Sequence, residues 1–236
     1  MLFAVTLFLG LELKGLKQYY NFEDFFPKNH SDTEFFLDYR EKFGSDNDFA
    51  LIGIKNQQGI FKQNFLLKVD SLTKELSQIE NVNKVLSPTN LKLLKKFDLY
   101  PKPVEFPVLH WQDESKYTAD SLTIALSKGF ESQFFSLDKQ SVLIYLNHAP
   151  KVIDTISVQI SRDINQIVSK YDFEEVHLGG RVVGQTVYID LIKDETIIFI
   201  GSSLLFVILF LVFTYRSFLG VILPLIIVGL SVLWTL

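Results

Sequence analysis

The C-terminal part of the chain contains two uncharged stretches, residues 196–215 and 217–236, which are separated only by Arg216. Each stretch is long enough to cross a hydrocarbon core of about 30 Å as a helix of about 20 residues. Because backbone groups in lipid must be hydrogen-bonded within their own segment, the sequence predicts two transmembrane helices joined by a tight turn. The rest of the chain is then expected on one side of a bilayer.

A third apolar segment, residues 1–11, ends at Glu12. It is shorter than the about 20 residues of a full crossing, so it is interpreted as the end of a truncated first transmembrane helix. A signal peptide is the alternative, but the basic first segment and small-residue cleavage site of such a peptide are not visible. The second C-terminal stretch reaches residue 236 without a flanking charge. We therefore expect the chain to be a piece of a longer protein.

Charge predicts the orientation. Arg216 is the only charged residue from 196 to 236, and the positive-inside rule assigns its loop to the cytoplasm, although Lys193 partly offsets this signal. Residues 12–195 would then form a domain outside the bacterial inner membrane, in the periplasm. The chain has 23 basic and 27 acidic residues, a balance that argues against a nucleic-acid partner. It contains no cysteine, which excludes disulfides and thiolate metal sites.

Two segments of the outer domain, residues 48–87 and 140–180, repeat one pattern of strand, helix and strand. In each, an apolar run precedes large apolar residues spaced by three and four, which indicates one buried helix face. A short alternating segment, 82–86 or 175–178, then indicates a second strand. Two such units predict an α+β, ferredoxin-like split βαβ domain. The helix-face residues are Phe61, Phe65, Val69, Leu72, Leu76 and Ile79 in the first unit, and, after Pro150, Ile153, Ile156, Ile160, Ile164, Ile167 and Tyr171 in the second.

Residues 88–139 form an irregular insertion between the two units. Pro101, Pro103 and Pro107, with Phe106 and Trp111 nearby, predict an extended stretch that no regular element can hold. This insertion is either a flap that grips a hydrophobic ligand or a packing element, and packing is the favoured interpretation. A short helix is expected at 119–126. The first strand of each unit is apolar at consecutive positions, so its second face should be covered by residues 89–140 or by protein outside this chain.

The sequence predicts no catalytic, cofactor-binding or metal-binding residue. The four histidines, His30, His110, His148 and His177, lack paired ligand spacing. The glycines of residues 179–184 are interpreted as a strand end that turns into a membrane helix rather than as a phosphate loop. Asp190, Lys193, Asp194 and Glu195 are interpreted as a solvated helix face. From residue 196 onward there is no Asp, Glu, His or Lys, so no proton relay is assigned, and the substrate-binding residues remain undetermined.

Several short motifs occur in an order that is typical of one transporter family. They are Asn-Phe-Glu-Asp-Phe-Phe-Pro at 21–27, Phe-Gly-Ser-Asp-Asn-Asp at 43–48, Ile60-Phe61, the Val-x-x-Val-x-Ser-Pro-Thr-Asn run at 82–90, Ser136-Leu137-Asp138, Leu178-Gly179-Gly180-Arg181, Arg216-Ser217-Phe218 and Pro224. In this order the chain resembles the resistance-nodulation-division superfamily, in the lipid-exporter branch called MMPL. That branch includes hopanoid transporters and is distantly related to Patched-like proteins.

The resemblance implies a first membrane helix, a ferredoxin-like porter domain and membrane helices two and three. It implies a fragment of a transporter, not an enzyme, that exports lipids or other hydrophobic compounds. Transport would be driven by an ion gradient through helices absent from this chain. The implied partners are the lipid bilayer, the remainder of the transporter and a hydrophobic substrate, and a homo-oligomer is left open. No cofactor is implied. The alternative is a membrane-tethered periplasmic module that assists protein translocation or envelope assembly, as SecDF-like proteins do.

Overall fold

The computed structural model describes residues 6, 26–43, 47–95, 102–127, 129–149 and 154–235. The chain divides into two compact units. One unit comprises Asn21–Val187, and the other comprises Met1–Tyr20 with Tyr188–Leu236. The predicted first membrane segment, residues 1–11, lies outside the described residues except for Thr6.

The larger unit is built on a four-stranded antiparallel sheet with the strand order β2-β5-β1-β6. The strands are β1 (Phe49–Lys55), β2 (Val82–Leu86), β5 (Ser141–His148) and β6 (Glu175–Gly180). Helix α2 (Gln63–Leu76) connects β1 to β2, and helix α4 (Asp154–Val168) connects β5 to β6. This is the split βαβ arrangement, so the predicted α+β fold class is confirmed.

The main core lies between the sheet and the two helices. Burial alternates along β1 and β5, and the buried positions Ala50, Ile52 and Ile54 of β1 face the helices. Most residues of the predicted helix faces are buried there: Phe65, Val69, Leu72, Leu76 and Ile79 from the first unit, and Ile160 and Ile164 from the second. Helix α2 begins after Phe61 and ends before Ile79, so these two predicted members lie just outside the helix. Pro150 and Ile153 lie outside the described residues.

The insertion has a small core of its own. Leu91, Val108, Ile124 and Phe134 form it. The predicted short helix is confirmed as α3 (Tyr117–Leu126). Other insertion residues, including Leu109 and Tyr117, are buried in the main core. These contacts support the packing interpretation of the insertion.

One prediction for the insertion is wrong. The proline-aromatic stretch does hold a regular element, because β4 (Val104–Pro107) pairs antiparallel with β3 (Lys92–Lys95). Proline lacks a backbone N–H, but it is tolerated in a strand that has a free edge. A two-stranded ribbon has such edges on both strands, so Pro107 can end β4 opposite Lys92.

The cover predicted for the second face of the sheet is only partial. Leu86 of β2, Tyr145 of β5 and Phe135 pack against the insertion core. The outward positions Phe49, Leu51 and Gly53 of β1 stay half-buried. The apolar run of β1 therefore reflects one fully buried face and one face that is half open.

Two helices in the described residues are long and apolar enough to cross a membrane, α5 (Arg181–Tyr215) and α6 (Phe218–Thr235). Only Arg216 and Ser217 separate them, and Arg216 adopts a positive φ of 44°. In the smaller unit, the indole Nε1 of Trp234 in α6 donates a hydrogen bond to Thr6 Oγ1 at 3.2 Å. Helix α1 (Ser31–Phe43), which sequence reasoning missed, has no buried residue.

Candidate functional site

The half-open face of the sheet is the candidate site, because it is an apolar surface of considerable size built on a rigid element. Since side chains alternate along a strand, the register places its residues on one face. We call this surface the open sheet face. It comprises Phe49, Leu51 and Gly53 of β1, Leu143 and Tyr145 of β5, and Gly179 of β6.

The register fixes how these residues meet. Leu51 pairs with Tyr145 on one side and with Gly179 on the other, and Gly53 pairs with Leu143. The rings of Phe49 and Tyr145 stack with their centroids 5.5 Å apart. Such a diagonal aromatic pair stabilises the surface and presents a wide apolar patch.

The two glycines keep the surface flat. A Cβ atom placed on Gly179 would meet nothing within 4 Å, and one on Gly53 would meet its nearest atom, the carbonyl oxygen of His177, at 3.8 Å. Steric crowding is therefore not the reason for glycine at either position. Glycine inside a strand often marks a place where a ligand or another backbone approaches closely. Along β1, from Phe49 to Gly53, the surface is roughly 13 Å long, at about 3.3 Å per residue.

Polar groups lie at the ends of the open sheet face, and His177 lies on the face itself, opposite Gly53. At one end Glu175 accepts hydrogen bonds from Lys55 Nζ at 3.1 Å and from His177 Nε2 at 2.7 Å. The bond from His177, with that from Lys55, lowers the pKa of the Glu175 carboxyl below its usual value. At the other end Asn147 donates its amide to the carbonyl oxygen of Asp48 at 3.0 Å. The surface thus offers apolar contact along β1 and β5, while His177, Glu175 and Lys55 add polar groups towards one end.

The four histidines have different surroundings. His30 lies beside Asp32, His177 beside Glu175, and His110 places Nδ1 3.0 Å from the buried carboxylate of Asp120. His148 is buried in the sheet, with Nδ1 2.8 Å from the Ala149 carbonyl oxygen. Within the described ranges, no group of three His, Asp or Glu side chains could hold a metal ion.

The Gly179-Gly180-Arg181 sequence is a strand end that passes directly into a helix, as its glycines predicted. Gly180 closes β6 with a φ of 97°, and a Cβ there would lie 2.4 Å from the Phe49 carbonyl oxygen. Arg181 begins α5, and its guanidinium lies 3.3 Å from the carboxylate of Asp48. Val182, Gln185 and Thr186 are buried, so the first turns of α5 belong to the folded domain. The Asp48–Arg181 pair was not found from the sequence.

The charged cluster before the apolar part of α5 is exposed. Asp190, Lys193, Asp194 and Glu195 all lie on the helix surface in contact with solvent. This placement agrees with the interpretation of a solvated helix face.

A concave region lies at the end of the sheet opposite Gly180. It is a cavity of about 500 Å³ with Phe65 and Phe173 in its lining. Lys55, Lys62 and Lys68 also line it, together with Glu114, Asp172 and Glu174. This balanced set of charges suits water and ions better than a hydrophobic ligand.

The arrangement of a split βαβ domain followed by two apolar helices corresponds to a known family. The sequence model of the MMPL family matches residues 45–236, which include both βαβ units and both apolar helices. The chain belongs to the MMPL family. Its members are membrane transporters of hydrophobic compounds, which supports a role other than catalysis. A search of curated proteins found no match.

The open sheet face was not assigned from the sequence as a binding surface. Its one local signal was the pair of glycines, Gly53 and Gly179, within strand patterns. The alternation of buried and half-buried positions was hidden, because β1 is apolar on both faces.

Proposed function

We propose that this MMPL protein is part of an exporter of lipids or similar hydrophobic compounds, and that the open sheet face contacts the apolar part of the substrate. The observation that carries the proposal is this half-open surface, which combines Leu51, Leu143 and a stacked aromatic pair with two glycines. Ligand sites are mostly apolar, with few polar groups that fix orientation. The Lys55–Glu175–His177 group at one end would meet the polar part of such a substrate.

The source of energy lies outside the described helices. Neither apolar segment contains Asp, Glu, His or Lys from residue 196 onward. Intramembrane ionisable residues usually mark ion pathways. We therefore propose that an ion gradient acts through further helices of a longer protein, of which this chain would be the N-terminal part.

The proposed location is the bacterial inner membrane, with the sheet domain in the periplasm. Support comes from Arg216, which lies in the two-residue connection between α5 and α6, since basic residues favour the cytoplasmic side. Protease added to intact spheroplasts should digest the domain. Full protection in sealed spheroplasts, with digestion only after lysis, would contradict this orientation.

Photocrosslinking tests the role of the open sheet face directly. A photoreactive long-chain fatty acid is added to the purified chain in amphipols, and the labelled peptides are identified by mass spectrometry. We expect labels on the peptides of β1 and β5 that contain Leu51 and Leu143. Replacement Leu51→Gln should weaken labelling, because the lost apolar contact is worth about 1–2 kcal/mol, or roughly 5- to 30-fold in affinity.

The matched control is Leu67→Gln. Leu67 lies on α2 and is solvent-exposed on the helical side of the domain. The photolabelling of this variant should equal that of the parent protein. Equal loss in both variants, or labelling confined to the helical side, would refute the assignment of the surface. The SecDF-like alternative is favoured instead if the protein copurifies with a partner complex and deletion of its gene causes no export defect.

A further inference from the structure

Two ion pairs bracket the contact between β1 and β6, one at each end. Lys55 and Glu175 form the first, with 37% and 43% of their side chains exposed. Asp48 and Arg181 form the second, with only 4% and 19% exposed. The second pair lies where β6 ends and α5 begins. Surface pairs contribute little to stability, whereas a buried pair fixes geometry because neither charge can return to water cheaply.

Asp48 is itself held in place by β5. Its carbonyl oxygen accepts a hydrogen bond from the backbone N–H of His148 at 3.1 Å and from the Asn147 amide at 3.0 Å. Its carboxylate then reaches the guanidinium of Arg181. One buried residue therefore ties together the start of β1, the end of β5 and the start of α5.

The position of Arg181 is unfavourable for a cation unless an anion lies nearby. It is the first residue of α5, where the partial positive charge of a helix N-terminus repels a cation. Asp48 compensates this repulsion, since a carboxylate is favourable near the same helix end. Directly before Arg181 stands Gly180, the residue type with the greatest freedom of backbone rotation. Without the ion pair, the first turn of α5 is held by the packing of Val182 in the main core, and Gly180 is the point about which it can turn.

We propose that Asp48 and Arg181 form a latch that holds the first two turns of α5 in one orientation on the sheet. Both are positioning residues. When the latch opens, residues 181–187 pivot about Gly180 while the sheet stays folded. The inference concerns the domain alone and holds whatever compound the open sheet face binds.

Distance measurements between two spin labels test the latch. The chain has no cysteine, so labels can be placed at will. Suitable sites are Lys84→Cys on β2 and Val187→Cys on α5, both exposed and both within the larger unit. Val187 lies about 9 Å along the helix from Arg181, at 1.5 Å per residue, so a pivot of roughly 20° moves it by about 3 Å.

We expect one narrow distance distribution in the parent and roughly a doubling of its width in Arg181→Gln and in the nearly isosteric Asp48→Asn, since the label moves by about 3 Å. Arg181→Lys keeps the charge, so its distance distribution should be narrower than that of Arg181→Gln. The control Lys55→Gln breaks the exposed pair between the same two strands and should leave the distribution unchanged.

Two results would overturn the proposal. The first is a distribution in both latch variants that is no wider than that of Lys55→Gln. The second is loss of amide-exchange protection across β5 in both variants, because the pair would then hold the sheet together instead of positioning the helix. The test measures distances within the domain and not export. A negative result therefore contradicts the latch and leaves the proposed function untouched.

Discussion

Replacement of Gly180 by alanine is the sharpest test of the tight corner between β6 and α5. Gly180 has a φ of 97°, in the region that side chains with a Cβ disfavour, and a Cβ there would lie 2.4 Å from the Phe49 carbonyl oxygen and 2.8 Å from Ala50 Cα. Both neighbours are backbone atoms of the central strand β1, so they cannot rotate away.

The two effects give the expected magnitude. A left-handed conformation costs a residue with a Cβ about 1–2 kcal/mol. Forcing a methyl group into a packed site costs about 1–3 kcal/mol. Gly180→Ala should therefore lower the free energy of unfolding by about 2–5 kcal/mol, a large share of the about 5–15 kcal/mol typical of a domain.

Urea unfolding in a Trp234→Phe background, followed by the emission of Trp111, measures this loss for the domain. The matched control is Gly179→Ala, one residue earlier, where a Cβ would meet nothing within 4 Å. That variant should stay within about 1 kcal/mol of the parent, as expected where alanine fits the backbone. If the two variants unfold at the same urea concentration, the corner is not tight and the reasoning fails.

Three further predictions concern stability. Burial, followed by the hydrogen bond to Glu75, raises the pKa of Tyr171 to about 12. The stabilisation from the neutral phenol is therefore complete below pH 10 and is lost as the pH rises towards 12. The free energy of unfolding, measured by urea across this range, should fall with pH in the parent and lose this dependence in Tyr171→Phe. Phe134→Ala should cost about 3–5 kcal/mol and speed amide exchange in the insertion first, whereas the exposed Leu137→Ala should be silent. Asn90→Ala removes bonds to Ser87 N–H and the Val85 carbonyl and should cost about 1–3 kcal/mol in thermal unfolding; a neutral result would contradict its role in the turn.

The sequence predicted the two βαβ units because burial on one side leaves a strong periodic trace. Val69, Leu72 and Leu76 recur at helical spacing, and each faces the sheet as expected. The glycines at 179 and 180 also marked the strand end correctly. These features depend on local spacing, which a single sequence displays in full.

Other features depend on contacts between distant residues, and the sequence could not show them. The pairing of β4 with β3 offsets the breaking tendency of Pro107, and only the ribbon geometry reveals this. Asp48 and Arg181 are far apart in the chain, and their pairing follows from the strand register. The open sheet face was hidden for the same reason, since an apolar strand does not show which of its faces remains uncovered.

The alternation along β1 separates two kinds of mutational constraint. Replacements at Ala50, Ile52 and Ile54 would leave cavities or overlaps in the core. Replacements at Leu51 would change a surface at a smaller cost to folding, since that side chain is only half-buried. Adjacent positions of this strand are therefore under different constraints, since one set keeps the core packed while the other shapes a surface on the same scaffold.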